Sequence, residues 1–310
     1  MSLLFTFQKM ECAVVGTWPF SIEAVQVASD LVKLNMDEND RKGCISIDAV
    51  EKGINAIEGN VKYGEYFVGC GGVRNKQGYL ELDAAIMNGK SLEFGAVTAI
   101  QGIQHPISVA RRVMEASPHS MLTGSGAQTF AVQHGFQVHE ELMEKKDGNP
   151  QSTGHDTLGL ICSTKNDITV GVSTSGMGGK EAGRVGDSAL PGSGLYTDIE
   201  SGAACCSGDG DVIMKHCPAF RVVHYMKQGD TVHEACDKVI REISRRSQIK
   251  FDLVIIAVDT QGNIGAGSTL SVWQDPNTKE EIHGFPYVVW VEGMSEPEIR
   301  IQKCLNSLKV

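Results

Sequence analysis

The sequence predicts an α+β fold in which antiparallel sheets carry helices on their outer faces. Three observations predict it. Strand and helix patterns come in blocks, without the strict strand-helix alternation that builds a parallel sheet. The pattern stops once, at a polar and charged stretch over 138–154 with Gly148-Asn149-Pro150 in its middle, and then restarts on a fresh pair of strands. With 310 residues, 41% of them hydrophobic, the chain can bury a full core without disulfides or metals to staple it.

In order along the chain, residues 12–17 form a compact apolar strand that Trp18-Pro19-Phe20 ends. A helix over 21–34 leads to a charged loop over 36–42. The next helix, over 46–58, sets Ile47, Val50, Ile54 and Ile57 on one face at helical spacing. A glycine-rich stretch over 69–72 follows. Strands over 79–87 and 92–99 are joined by Asn88-Gly89, a two-residue hairpin signal. Residues 106–116 read as a helix with Pro106 in its first turn, where the missing N–H costs nothing. A short strand over 120–123 and a helix over 126–134, closed by Gly135, complete the first half. Past the linker, strands over 158–163 and 168–175 flank a Lys165-Asn166-Asp167 turn. Residues 176–210 read as one long glycine-dense loop system. Amphipathic helices over 218–227 and 232–245 precede closing strands over 253–258, 264–272 and 287–291.

A net charge of −10 argues against a nucleic-acid surface and against anionic membranes, both of which need clustered Lys and Arg. No apolar run approaches the roughly 20 residues of a membrane span. The first seven residues lack the basic flank of a signal peptide. The nine cysteines are odd in number, form no CxxC pair, and sit mostly in apolar patterns. They are expected to be buried, reduced thiols, which favours a cytoplasmic setting over a lysosomal or secreted one.

Several chemistries drop out. His139-Glu140 and His233-Glu234 lack the second histidine of a zinc protease. There is no phosphate-binding glycine loop after a strand, no nucleophile elbow around Ser173 or Ser175, and no metal-ligand spacing. No cofactor or metal is expected. The informative segment is Gly154-His155-Asp156-Thr157-Leu158-Gly159, where a solvated linker meets a buried strand, although a Thr at the first residue of a strand is common and means little alone. A threonine hydroxyl is a weak nucleophile and needs a base. If the Asp156–Thr157 bond were to break, Thr157 would gain a free α-amino group, with a reference pKa of about 7.7–8, suited to general-base work at neutral pH. Nucleophile and base then belong to one residue.

The motifs around this junction occur in a familiar order. Gly154–Thr157 is followed by Ser173-Thr174-Ser175-Gly176, then by Gly183-Arg184-Val185-Gly186-Asp187-Ser188. The series ends in Gly202-Ala203-Ala204-Cys205-Cys206-Ser207-Gly208-Asp209-Gly210-Asp211. Upstream stand Thr17-Trp18-Pro19-Phe20, Asp48-Ala49-Val50-Glu51, Leu82-Asp83-Ala84-Ala85-Ile86-Met87 and Gly95-Ala96-Val97. Over nearly its whole length the chain resembles glycosylasparaginase (aspartylglucosaminidase), an N-terminal-nucleophile hydrolase. The resemblance implies a four-layer αββα sandwich, one structural domain cut into an α-subunit part (1–156) and a β-subunit part (157–310), and a homodimer of cleaved units. It implies hydrolysis of the side-chain amide of glycosylated asparagine, with Thr157 as nucleophile. Asp156 and His155 would serve self-cleavage, and Thr174 would lie beside Thr157. Arg184 would grip the substrate's α-carboxylate, since a guanidinium fork suits a carboxylate, and Asp187 would hold its α-ammonium. Ser207 and the Gly208 N–H would form the oxyanion hole, and Trp18 would line the pocket. The family usually has Thr at position 207, so this chain keeps the hydroxyl and loses the methyl that restricts it.

Two alternatives stand beside this reading. A plant-type asparaginase or isoaspartyl peptidase shares the nucleophile logic with a different leaving group; it usually has Gly directly before its Thr, where this chain has His155-Asp156. A catalytically silent binding protein would have no reason to cleave itself.

Overall fold

The computed structural model describes residues 12–36, 45–146, 157–247 and 250–305. The first half runs β1 (Ala13–Thr17), α1 (Ile22–Met36), α2 (Ile45–Glu58), β2 (Leu82–Asn88), β3 (Phe94–Ile100), α3 (Pro106–Ala116), β4 (Met121–Thr123), α4 (Gly124–Gln133) and α5 (Glu140–Met143). The second half begins with β5 (Leu158–Thr164), β6 (Asp167–Thr174), β7 (Leu195–Asp198) and β8 (Gly202–Gly208). Helices α6 (Gly210–Ile213), α7 (Pro218–Lys227) and α8 (Val232–Arg246) follow. The chain closes with β9 (Leu253–Asp259), β10 (Ile264–Ser268), β11 (Val272–Gln274), β12 (Glu281–His283), β13 (Phe285–Val291) and β14 (Glu298–Gln302).

Eight strands form one sheet in the order β14-β13-β1-β5-β6-β2-β3-β4, and four form a second in the order β10-β9-β8-β7; β11 and β12 pair separately. Neighbours are antiparallel except β3 and β4. The two halves of the chain are interleaved in the large sheet: β1 from the first half lies between β13 and β5 from the second, and β6 pairs with β2.

The sheets stack face to face. A Cβ on Gly159 of β5 would come within 2.5 Å of Cys205 Sγ on β8, so the strands meet through the absence of that side chain. Helices α2 and α3 cover the far side of the large sheet, where Val50, Ile54 and Ile107 close over Gly171 of β6. Helix α8 covers the far side of the small sheet, with Ile240 and Cys236 over Gly267 of β10. The result is helix, sheet, sheet, helix: the four-layer αββα sandwich of the N-terminal-nucleophile hydrolases. Helix α8 shows how locally determined these layers are. Thr231 and Glu234 form a reciprocal capping box at its start, and Val232, Ala235, Cys236, Val239, Ile240 and Ile243 bury one stripe. Each large aliphatic in that stripe contributes about 1.5–3 kcal/mol by burial. Among the described residues, no helix is long and apolar enough to cross a membrane.

Several boundaries differ from those read in the sequence. The stretch taken as a single loop over 176–210 contains all of β7 and β8, which are wholly or partly buried. Ala203, Ala204, Cys205 and Cys206 are buried on both faces of their strand, so no polar-apolar alternation marks them. Asn88-Gly89 does not form a two-residue hairpin. The Asn88 side chain instead accepts from the Lys90 and Ser91 N–H groups and donates to Asp167, and the turn extends to Glu93, whose carbonyl accepts from the Asn88 N–H. The strand read over 264–272 is two strands, and β12 and β14 were not anticipated. Cys12, Cys162, Cys205, Cys206, Cys236 and Cys304 are buried as small core side chains; Cys217 is exposed.

Candidate active site

Thr157 stands immediately ahead of β5 and is only 4% exposed. Its carbonyl accepts a hydrogen bond from Thr17 Oγ1 at 2.6 Å, and the Thr17 hydroxyl oxygen in turn accepts from the Gly159 N–H at 2.8 Å. The end of β1 therefore fixes the backbone on either side of Leu158. Leu158 pairs with Ser173 in the β5–β6 ladder. One step further along this register, Thr157 faces Thr174. The Thr174 hydroxyl donates to the Phe67 carbonyl at 3.3 Å and accepts from the Gly176 N–H at 2.9 Å, which holds it still. Strand alternation turns the neighbouring Ser173 to the opposite face, where its hydroxyl donates to Glu58 at 2.6 Å. Glu58 is wholly buried, and burial raises its carboxyl to about 8 despite hydrogen bonds from Ser173 and the Ile107 N–H.

Ser207 and Gly208 end β8, paired with Val254 and Leu253. Gly208 has φ 133°, and a Cβ there would lie 2.1 Å from the Asp252 carbonyl oxygen, so only glycine fits. Ser207 is completely buried. Its oxygen accepts from Trp18 Nε1 at 3.0 Å, which leaves the hydroxyl proton free to donate elsewhere.

The loop between β6 and β7 brings the charged residues. Arg184 Nη2 donates to Asp211 Oδ2 at 2.7 Å, while its buried Nε has no hydrogen-bond partner among the described residues. Asp187 is 3% exposed. Both press on Gly210: a Cβ there would lie 2.8 Å from Asp187 Oδ1 and 3.0 Å from Arg184 Nη2. A cation and an anion beside one short stretch of backbone suit a zwitterionic head group.

One pocket, with about 250 Å³ of free space including open solvent, joins most of these groups; Ser207, wholly buried, is not among its lining residues. Thr157, Thr174, Gly176, Met177, Arg184, Gly186, Asp187, Ser188, Gly208 and Gly210 line it. Five residues singled out in the sequence, Thr157, Thr174, Arg184, Asp187 and Gly208, thus meet around a single space despite their spread along the chain. Trp18, expected to line the pocket, is not among these lining residues. It is 1% exposed, edge-on to Phe285 at 5.0 Å and stacked with Trp273 at 6.2 Å. Its indole N–H reaches Ser207 from behind. Its backbone, φ 62° and ψ 155°, lies in a region that costs a non-glycine residue on the order of 1–3 kcal/mol. His155 and Asp156 lie outside the described residues. Sequence reasoning missed Thr17, which ties down Thr157, and Asp211, which ties down Arg184. Both stood inside quoted motifs, but a hydroxyl or carboxylate that acts on a neighbour carries no spacing signature.

A family model described as Asparaginase matches residues 35–147 and 137–282. The chain belongs to the asparaginase family. Its relatives in that family carry three kinds of name. It is 33% identical over 297 residues to the N(4)-(beta-N-acetylglucosaminyl)-L-asparaginase of Elizabethkingia miricola, covering 88% of this chain and 84% of that protein. It is 34% identical over 278 residues to the plant-type L-asparaginase of Pyrococcus abyssi, covering 82% and 86%. It is 35% identical over 236 residues to the isoaspartyl peptidase/L-asparaginase of Homo sapiens, covering 70% and 75%. This asparaginase-family chain is therefore an amidohydrolase, and its pocket is read with that chemistry.

Proposed function

We propose that the chain cleaves itself between Asp156 and Thr157, and that Thr157 then hydrolyses the side-chain amide of N4-(β-N-acetylglucosaminyl)-L-asparagine. The observation that carries this reading is the meeting of Thr157, Thr174, Arg184, Asp187 and Gly208 around one pocket. In the proposed cycle the freed Thr157 α-amine takes the proton of its own hydroxyl, and Oγ attacks the amide carbon of the substrate side chain. The oxyanion is held by the Ser207 hydroxyl and the Gly208 N–H. The amine returns the proton to the departing nitrogen, which leaves as the amino sugar, and a β-aspartyl ester remains on Thr157. Water, deprotonated by the same amine, attacks that ester and releases aspartate. Arg184 and Asp187 bind the α-carboxylate and α-ammonium throughout and set the reacting carbon against Oγ.

His155-Asp156 ahead of Thr157 and the relatives named for glycosylated asparagine favour this substrate over the plant-type alternative. Assaying the purified protein side by side on asparagine-linked N-acetylglucosamine, free asparagine and a β-aspartyl dipeptide tests it. The highest kcat/KM is expected for the glycosylated asparagine; a clear preference for either other substrate replaces this reading with the runner-up. The same glycosylated asparagine inside a peptide capped at both ends offers neither charge and is expected to be hydrolysed poorly, because a site built for a polar partner rejects an analogue lacking it by large factors.

A further inference from the structure

The residues that grip the head group ride on a stretch, residues 176–188, that belongs to neither strand nor helix. A binding residue must be held within about half an ångström of its productive position. A stretch with no ladder of its own needs other anchors.

The anchor is a buried charge cluster beneath it. Lys180 is 3% exposed, and its ammonium donates to the Glu81 carbonyl at 3.0 Å. The Lys180 carbonyl accepts from the Lys76 N–H at 2.9 Å. Its stem runs under the pocket wall: a Cβ on Gly176 would come within 2.9 Å of Lys180 Cδ. Glu81 is 5% exposed, and both its carboxylate oxygens accept from the Gly183 N–H, at 3.0 and 3.2 Å. Gly183 is the residue before Arg184. Asp83, two residues along on the same face as Glu81, is buried and accepts from the Ala99 N–H at 2.7 Å. Burial lowers the lysine and raises Asp83, and the attraction between them opposes both shifts. Arg184 also acts on this cluster, drawing Asp83 toward its charged form and repelling Lys180. Burying so many charges is costly unless they compensate one another, and here they do so directly behind the substrate-binding loop.

We infer that Lys180 and Glu81 are positioning residues for the head-group clamp: they fix Gly183 and hence the reach of Arg184 toward the substrate's α-carboxylate. Neither touches the substrate. The inference rests on the proposed role of Arg184 and deepens it. The cluster sets affinity for one part of the substrate, the α-carboxylate, and leaves the amide chemistry at Thr157 alone.

The test compares two small ligands that differ by that group, aspartate and β-alanine, which lacks the α-carboxylate. Their dissociation constants are measured by calorimetry on the full, self-cleaved protein, so no turnover is needed. Lys180→Met keeps the stem and removes the ammonium; Glu81→Gln keeps an acceptor for Gly183 and removes the charge. Each is expected to weaken aspartate tenfold or more and to change β-alanine less than twofold. An equal weakening of both ligands, no weakening of either, or a folded variant that fails to cleave itself overturns the inference. Arg184→Ala is measured in parallel. If it leaves aspartate binding unchanged, the carboxylate role of Arg184 fails first and the anchor with it; if it weakens aspartate while Lys180→Met and Glu81→Gln do not, only the anchor fails.

Discussion

Replacing Trp18 with phenylalanine removes one hydrogen-bond donor and leaves a ring in place against Phe285. The lost bond is Nε1 to Ser207 Oγ at 3.0 Å, between two fully buried residues. Such a bond is worth about 0.5–1.5 kcal/mol net, and without it the serine hydroxyl is free to rotate away from the oxyanion. Each 1.36 kcal/mol is about one decade in rate, so kcat should fall about twofold to tenfold while KM, on the proposed roles of Arg184 and Asp187, stays within twofold. Ser207→Ala removes the donor outright and should cost about 100-fold to 1000-fold in kcat. The decisive comparison is the double variant. If Trp18 acts through the Ser207 hydroxyl, adding Trp18→Phe to Ser207→Ala costs nothing further, a coupling of about 0.5–1.5 kcal/mol. Steady-state kinetics on asparagine-linked N-acetylglucosamine, with thermal melts to confirm folding, measures all four proteins. Losses that simply multiply would refute the link between Trp18 and Ser207.

Other outcomes follow from single features. Arg184→Ala should raise KM strongly, since removing one partner of a buried charge pair costs about 2–5 kcal/mol; Arg184→Lys should also be poor because an ammonium cannot reproduce the fork, and near-normal kinetics for either would contradict the carboxylate role. Glu58 titrates in the fold at about 8, above its ordinary value. Its folded form therefore keeps a proton that the unfolded chain releases, so its contribution to stability is complete at acid pH and is lost as pH rises toward 8. Chemical denaturation of Glu58→Gln across pH 5–9 should show a flatter pH dependence than the parent. Gly208→Ala should fail to fold or melt far lower, since its Cβ would meet the Asp252 carbonyl oxygen at 2.1 Å; a melting temperature within a few degrees of the parent would show that β8 and β9 can part.

The layers of this fold were legible because their determinants are local. The α2 stripe at Ile47, Val50, Ile54 and Ile57 and the proline start of α3 sit as expected. Two strands of the second sheet, β7 and β8, were harder. Ala203 to Cys206 are small, apolar and buried on both faces, which reads from sequence as a glycine-dense loop. Asn88-Gly89 misled because its side chain had a better use, in the bonds to Asp167 and the turn. At the site, every residue that lines the pocket except Met177 stood inside a quoted motif. Those that act at one remove, Thr17 on Thr157, Asp211 on Arg184, and Lys180 with Glu81 beneath the loop, depend on contacts between residues up to 140 positions apart. Trp18 was visible as important, but its bond to Ser207 was not, because a buried indole and a pocket-lining indole look alike in sequence.

The central claim is that Thr157 becomes a chain terminus and then the nucleophile. Intact mass measurement of the purified protein under denaturing conditions, with N-terminal sequencing, tests it most directly. Wild type should resolve into two fragments of nearly equal length, the second beginning at Thr157. Thr157→Ser should give the same pair more slowly, and Thr157→Ala should remain one chain. A wild-type protein that hydrolyses substrate as a single uncut chain, or a second fragment beginning at any other residue, would contradict the account.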